Sequence, residues 1–463
     1  MKTNQGFAGI GILIAIIAVL AVGGVAYYKS KSPQIEPVNN IEEENIPQEE
    51  QSDIVNVPVE NDQTDDIKDD NTEVTYIKVE DNNPVVLANN KFAFDVYPKL
   101  IEKEKNTFFS PLSISSAFGM VYEGANSKTA DEIQSVFHFP KDINVLRNSF
   151  SSINNEINKT SKEYQLSIAN ALWAQKDYKF LDEYFSSVSK YYSGKATNLD
   201  FKNATEEARL TINKWVEDKT NDKIKEILSK GILNINTKLV LTNAIYFNGK
   251  WSKTFEKKGT KENTFFVDSE NNVEVNMMKQ ANNDETMFNY GENDDLQILE
   301  MPYKGDKLSM IVVLPKKNDI TSFEKLLSFS NFNNWKKSLK KQRVNVFIPQ
   351  FKFDAKYSMV EDLKSMGMPT AFSPGNADFF KMDGTTDLFI SDVIHQSFVD
   401  VNEDGTEAAA ATVVVMGLTS AGPFEGPVIP TFNANHPFIF MIQDTINGNI
   451  LFMGRVVNPS LKN

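Results

Sequence analysis

Three histidines, His138, His395 and His436, supply all the imidazole in this 463-residue chain, and there is no cysteine. Disulfides, thiolate metal sites and a cysteine nucleophile are therefore excluded. His138 stands between two phenylalanines and His436 precedes Pro437. No Gly-x-Ser-x-Gly elbow, phosphate-cradling glycine loop or His-Glu-x-x-His helix accompanies them. The run Asp400-x-Asn402-x-Asp404-Gly405 opens like an EF-hand calcium loop. Its twelfth position is Ala411, where a bidentate glutamate is required. The residues before it, Val393, His395, Ser397, Val399 and Val401, alternate as a strand and not as the required helix. The composition argues against an enzyme, and no metal or cofactor is expected.

The stretch with the most unusual chemistry is Glu403 to Ser420, EDGTEAAAATVVVMGLTS. Gly405 leads into Thr406, Glu407, the alanines Ala408, Ala409, Ala410 and Ala411, then Thr412 and three valines. No charge follows Glu407 until Glu425, and no proline interrupts until Pro423. Long connections between strands are uncommon in compact domains and usually functional. Small and β-branched side chains suit this one to become a strand at a later stage.

Charge is unevenly spread over the net −14, residues 29–84 carrying 16 Asp and Glu against 4 Lys. With Pro33, Pro37, Pro47 and Pro58 among the acidic residues and little apolar content, that segment reads as a disordered, self-repelling tether. An acidic chain in which no basic cluster stands out argues against nucleic-acid binding. Ahead of it, beyond a short flank at residues 1–6, residues 7–28 form an uncharged, mainly apolar run between Lys2 and Lys29. Its length suits a membrane-spanning anchor, with a signal peptide cleaved near Ala21-Val22-Gly23 as the alternative.

From residue 85 onward helix and strand patterns mix, the α+β pattern of one large domain extending to residue 463. Phe92, Val96 and Leu100 recur at helical spacing, and Asn203 with Glu206 resembles a capping box. The runs Thr237 to Phe247 and Leu308 to Leu314 suit strands buried on both faces. Arg343 to Asp354 alternates, and Asn447-Gly448 signals a hairpin with positive φ at both turn positions.

Nine blocks carry a family resemblance: NTFFSPLSISSAFGM from Asn106, ANSKTADEI from Ala125, IANALWAQ from Ile168, INKWVEDKTNDKI from Ile212 and LVLTNAIYFNGKW from Leu239, followed by VNVFIPQFKF from Val344, DVIHQSFVDVNEDGTEAAAAT from Asp392, FNANHPFIF from Phe432 and LFMGRVVNP from Leu451. In this order they resemble the serpin family over residues 85–460. The resemblance implies three β-sheets, about nine helices and an exposed reactive-centre loop at about 403–431. It implies a suicide inhibitor that traps a serine protease as an acyl-enzyme when the cleaved loop enters the large sheet. The alternative is a non-inhibitory serpin-like chaperone or binding protein.

The usual serpin count places the scissile bond at Thr419–Ser420, with Leu418, Met416 and Phe424 as alternatives. Residues Glu403 to Thr412 match the hinge. Ser110, Ser113, Asn243 and His395 match the polar shutter beneath the sheet, and Trp251 the breach where the loop enters. With no Arg or Lys near the bond, an elastase-, chymotrypsin- or subtilisin-like protease is expected. No basic heparin-binding face is evident around residues 140–165, and a monomer is expected. The layout implies a domain anchored to a membrane on its extracytoplasmic side, or secreted if the segment is cleaved.

Overall fold

Asn83 opens the first helix, Pro84–Leu100, by accepting a hydrogen bond from the Val85 amide at 3.0 Å. Pro84 occupies the first turn, where a missing N–H costs nothing, and Phe92, Val96 and Leu100 are buried along one face as their spacing predicts. The computed structural model describes residues 83–157, 163–280, 287–406 and 429–462. The flank 1–6, the apolar run 7–28 and all but the last two residues of the acidic segment 29–84 lie outside these.

Three sheets organise the domain. The seven-stranded sheet runs β1 (Thr107–Phe109), β17 (Ile450–Val456), β16 (Phe438–Asp444), β9 (Leu308–Pro315), β8 (Leu296–Pro302), β7 (Met287–Glu292) and β10 (Lys340–Arg343). The four-stranded sheet runs β15 (Thr431–Asn433), β11 (Asn345–Pro349), β6 (Asn272–Gln280) and β5 (Lys261–Phe266). The six-stranded sheet runs β12 (Phe351–Ser358), β13 (Ile390–Asn402), β14 (Gly405–Thr406), β4 (Leu239–Lys250), β2 (Tyr164–Gln175) and β3 (Lys195–Leu199). With ten α-helices among the described residues, the domain is of mixed α+β class, with the three sheets that the serpin resemblance implies.

Burial explains why β4 reads as a continuous apolar run. Leu239, Leu241, Ile245 and Phe247 face the main core, while Val240 and Ala244 face a second one. That second core is closed by Ile212 and Val216 of the helix Thr205–Lys219. Across the main core, the Phe452 ring lies 5.0 Å from Phe108 and 5.9 Å from Phe247, centroid to centroid, tying two sheets together.

Three local expectations change. The helix beginning at Thr205 has no side-chain cap, because Asn203 bonds Asp200 instead. Arg343 to Asp354 divides into β10, β11 and β12 in three different sheets. The β16–β17 connection spans Thr445 to Asn449, and only Gly448 (φ 70°) takes a positive φ. Five residues relax the turn geometry that a two-residue hairpin would impose.

Phe452→Ala should lower the unfolding free energy by about 3–5 kcal/mol, the cost of an aromatic cavity in a packed core. Urea denaturation followed by intrinsic fluorescence measures it.

Candidate functional site

The six-stranded sheet has a seam. β13 and β4 are parallel neighbours only over Ile390–Ser397 against Leu239–Ile245. Above that stretch the two strands diverge, and the two-residue β14 stands between their upper ends. Thr406 lies opposite Val401 on one side and Gly249 on the other, antiparallel to both strands. The start of the long connection therefore already occupies a strand position inside the sheet.

Several contacts hold that start in place. The Thr406 hydroxyl is buried and lies 2.7 Å from the Tyr303 hydroxyl. Burial pushes the Tyr303 hydroxyl far above its ordinary pKa, so it stays protonated. The Tyr303 ring stacks on Trp251 at 4.6 Å, and the Trp251 indole N–H donates to the Asn402 carbonyl at 2.9 Å. Glu403 is buried, its carboxylate accepting from Thr260 at 2.6 Å and Gln350 at 2.7 Å. Asp404 pairs with Lys257 at 3.1 Å. At Gly405 any Cβ would fall 2.1 Å from the Gly249 carbonyl oxygen, so only glycine fits between the strands.

Lower in the same seam sits a polar cluster. Asn170, Asn243 and His395 are cross-strand neighbours on β2, β4 and β13. Asn243 donates to the Ser113 hydroxyl at 2.6 Å, and its carbonyl oxygen meets His395 Nδ1. Ser113 and Asn170 are joined at 3.3 Å. The Ser110 amide donates to His395 Nε2 at 3.1 Å, which leaves the ring proton on Nδ1, facing Asn243. Ser110 also caps the helix Pro111–Gly124 through the Ser113 amide at 3.1 Å and donates to the Leu451 carbonyl at 2.6 Å. Burial holds His395 down to about 3, so it is neutral throughout the physiological range.

The structure thus gathers Ser110, Ser113, Asn243 and His395, and separately Trp251 with Glu403, Gly405 and Thr406. Glu407, Ala408, Ala409, Ala410, Ala411 and Thr412 lie outside the described residues, as do Met416, Leu418, Thr419, Ser420 and Phe424. Sequence reading missed Asn170, Tyr303, Thr260 and Gln350. A lone asparagine inside the apolar run IANALWAQ was a usable signal for Asn170; nothing local marked the other three. The calcium-like residues turn to other work, Asp400 pairing with Lys352 at 2.7 Å.

Comparison with known proteins agrees with this architecture. The family described as "Serpin (serine protease inhibitor)" matches residues 87–459. The chain is 43% identical over 385 residues to an uncharacterized serpin-like protein of Methanosarcina mazei, covering 82% of this chain and 88% of that one. It is 42% identical over 380 residues to leukocyte elastase inhibitor of Xenopus tropicalis, covering 80% and 98% respectively. Among solved structures, uncleaved ovalbumin superposes with a TM-score of 0.74 at 31% identity, covering 81% of this chain and 100% of ovalbumin. The chain belongs to the serpin family.

The expected membrane placement is corrected. Among the described residues no helix is long and apolar enough to cross a membrane. The longest, Pro84–Leu100, has 17 residues and is largely buried in the fold, whereas a span needs about 20. The relatives are archaeal serpin-like proteins and elastase inhibitors matched through the folded domain. The apolar run 7–28 and its cleavage alternative lie outside the described residues, and neither an anchored nor an extracytoplasmic placement is carried further.

His395 makes stability depend on pH with a definite sign. Its folded pKa lies below the unfolded value of about 6.5, so its contribution is complete above about pH 6.5. That contribution is lost as pH falls from there toward 3, at up to about 1.4 kcal/mol per pH unit. His436, also held down by burial, adds a slope of the same sign. Denaturation at several pH values should show His395→Asn losing about one proton's worth of slope, with the His436 share remaining.

Proposed function

We propose that this serpin inhibits a serine protease by a suicide mechanism, the cleaved loop becoming a further strand between β4 and β13. The protease's serine oxygen attacks the Thr419 carbonyl carbon. The amide bond breaks, its nitrogen leaves with a proton on Ser420, and an ester joins loop to protease. Insertion then carries the ester away from the loop's original site before water completes hydrolysis. Strand addition of this kind is an established serpin behaviour.

One observation carries the reading: β14 is already seated in the seam, antiparallel to both flanks. If the cleaved strand kept this register toward the far end, Gly417 would lie opposite Ile390 on β13 and Met416 opposite Leu239 on β4. Both flanking strands run out at the same depth, just short of Thr419. A cut after Met416 would leave the new strand incomplete at Ile390. Cuts at Leu418 or Thr419 would leave it whole, and this favours Thr419–Ser420 over the earlier alternative. Phe424 would leave a surplus.

The register also supports the side-chain pattern. Thr406, Ala408, Ala410, Thr412 and Val414 would point inward, opposite Val401, Val399, Ser397, His395 and Val393. Thr412 would arrive between His395 and Asn243, bringing a hydroxyl to the hydrogen bond that insertion breaks. Eleven added residues at roughly 1 kcal/mol each would contribute on the order of ten kcal/mol, comparable with the stability of a whole domain. The pairs given up are the seven parallel ones between β13 and β4. The target is an elastase-, chymotrypsin- or subtilisin-like protease, because Leu418 and Thr419 offer no cation. The similarity to leukocyte elastase inhibitor supports the first of these.

Thr406→Arg should convert the inhibitor into a substrate, since a guanidinium cannot enter the buried position beside Tyr303. Incubation with a protease panel should give a denaturant-resistant covalent complex with the natural sequence. The variant should be cut at the same bond, found by mass spectrometry, with complex yield reduced at least tenfold. A natural protein that binds but never forms such a complex would be a non-inhibitory binding serpin instead.

A further inference from the structure

Between Lys325 and Phe353 this net-acidic chain carries seven Lys and Arg and no Asp or Glu. Five of the cations, Lys336, Lys337, Lys340, Lys341 and Arg343, fall within eight residues, a basic cluster that the reading of overall charge passed over. The fold gathers them at one place. Lys336 ends the helix Phe329–Lys336, and β10 follows as the terminal strand of the seven-stranded sheet. Lys340, Lys341 and Arg343 are exposed. Among the described residues β10 pairs only with β7, and the cross-strand neighbours of Lys340 and Lys341, Tyr290 and Asn289, are uncharged.

We infer that β10 is a docking edge for an extended, acidic peptide segment of a partner protein, added as a further strand. A terminal strand presents backbone donors and acceptors on its outer side, and lysines there repel basic strands and would lose hydration without compensation against neutral ones, which opposes aggregation. The same charges select for a strand bearing carboxylates, so that exclusion of wrong partners and attraction of the right one come from one set of side chains. Side chains alternate along a strand, so Lys341 and Arg343 share one face, and an acidic partner with Glu at every second position would place a carboxylate row beside that face, with Lys340 adding its charge from the other.

A long polyanion such as a nucleic acid fits less well. It needs cations along its whole length, and beyond the local patch residues 85–463 carry more Asp and Glu than Lys and Arg. No stacking platform is offered either, since Trp335 packs against Phe323 at 5.5 Å and Phe332 is buried. The edge lies in a different sheet from β14, so this docking is independent of loop insertion and of the inhibitory reading.

The test uses the full chain and a fluorescent Ac-(Glu-Val)3-amide peptide, followed by anisotropy at low and moderate salt. Saturable binding is expected, weakened at least tenfold by K340E/K341E and also by K340Q/K341Q, with thermal melting of both variants unchanged. N-methylation of alternate peptide amides, which keeps every charge but removes backbone donors, should weaken binding to a similar degree. No saturable binding, or equal binding by the charge-reversed variant, overturns the site. Equal binding of the N-methylated peptide overturns strand addition, and tighter binding of single-stranded DNA of matched charge overturns the peptide assignment.

Discussion

The proposed inhibition depends on how β4 and β13 are joined. They are parallel neighbours, a pairing slightly weaker per residue than the antiparallel one, and they meet over only part of their length. Every other strand junction in the six-stranded sheet except β2–β3 is antiparallel. A strand entering the seam antiparallel to both sides would replace one parallel ladder by two antiparallel ones. The direction of the proposed conformational change would thus be set by backbone hydrogen bonding before any side chain is considered.

In the proposed mechanism the side chains would set when that change happens. Asn170, Asn243 and His395 cross the seam at one level, and each polar atom there is satisfied by a neighbour or by Ser110 and Ser113. A fully satisfied buried network is costly to open piecemeal, so the closed sheet persists until a competing strand supplies replacement partners. At the upper end the balance is reversed. Gly405, Thr406, Tyr303 and Trp251 keep the gap occupied, so the proposed insertion would have no nucleation step left to make. One end of the seam is locked and the other is already begun.

Much of this was legible in the sequence because the family blocks are also the structural ones. LVLTNAIYFNGKW announces a strand buried twice over, and its alternating faces do enter two separate cores. Ser110, Ser113, Asn243 and His395 could be named in advance since each sits in a matched block. Tyr303 could not, because its role comes from a single bridge to Trp251 and a hydroxyl contact from a strand 103 residues away. The Asn203 cap failed for a local reason, as Asp200 competes for the same side chain. The cations of β10 escaped notice because the acidic N-terminal region dominates any count over the whole chain.

The central claim is that the intact protein is held short of its lowest free energy by an unfilled strand position. Thermal melting of intact protein beside protein cut once at Thr419–Ser420 tests it most directly. With about ten kcal/mol released, the cut form of a domain this large should melt roughly 10 °C or more above the intact one. Coincident melting curves for the two forms would mean that cutting releases nothing, and the account would fail.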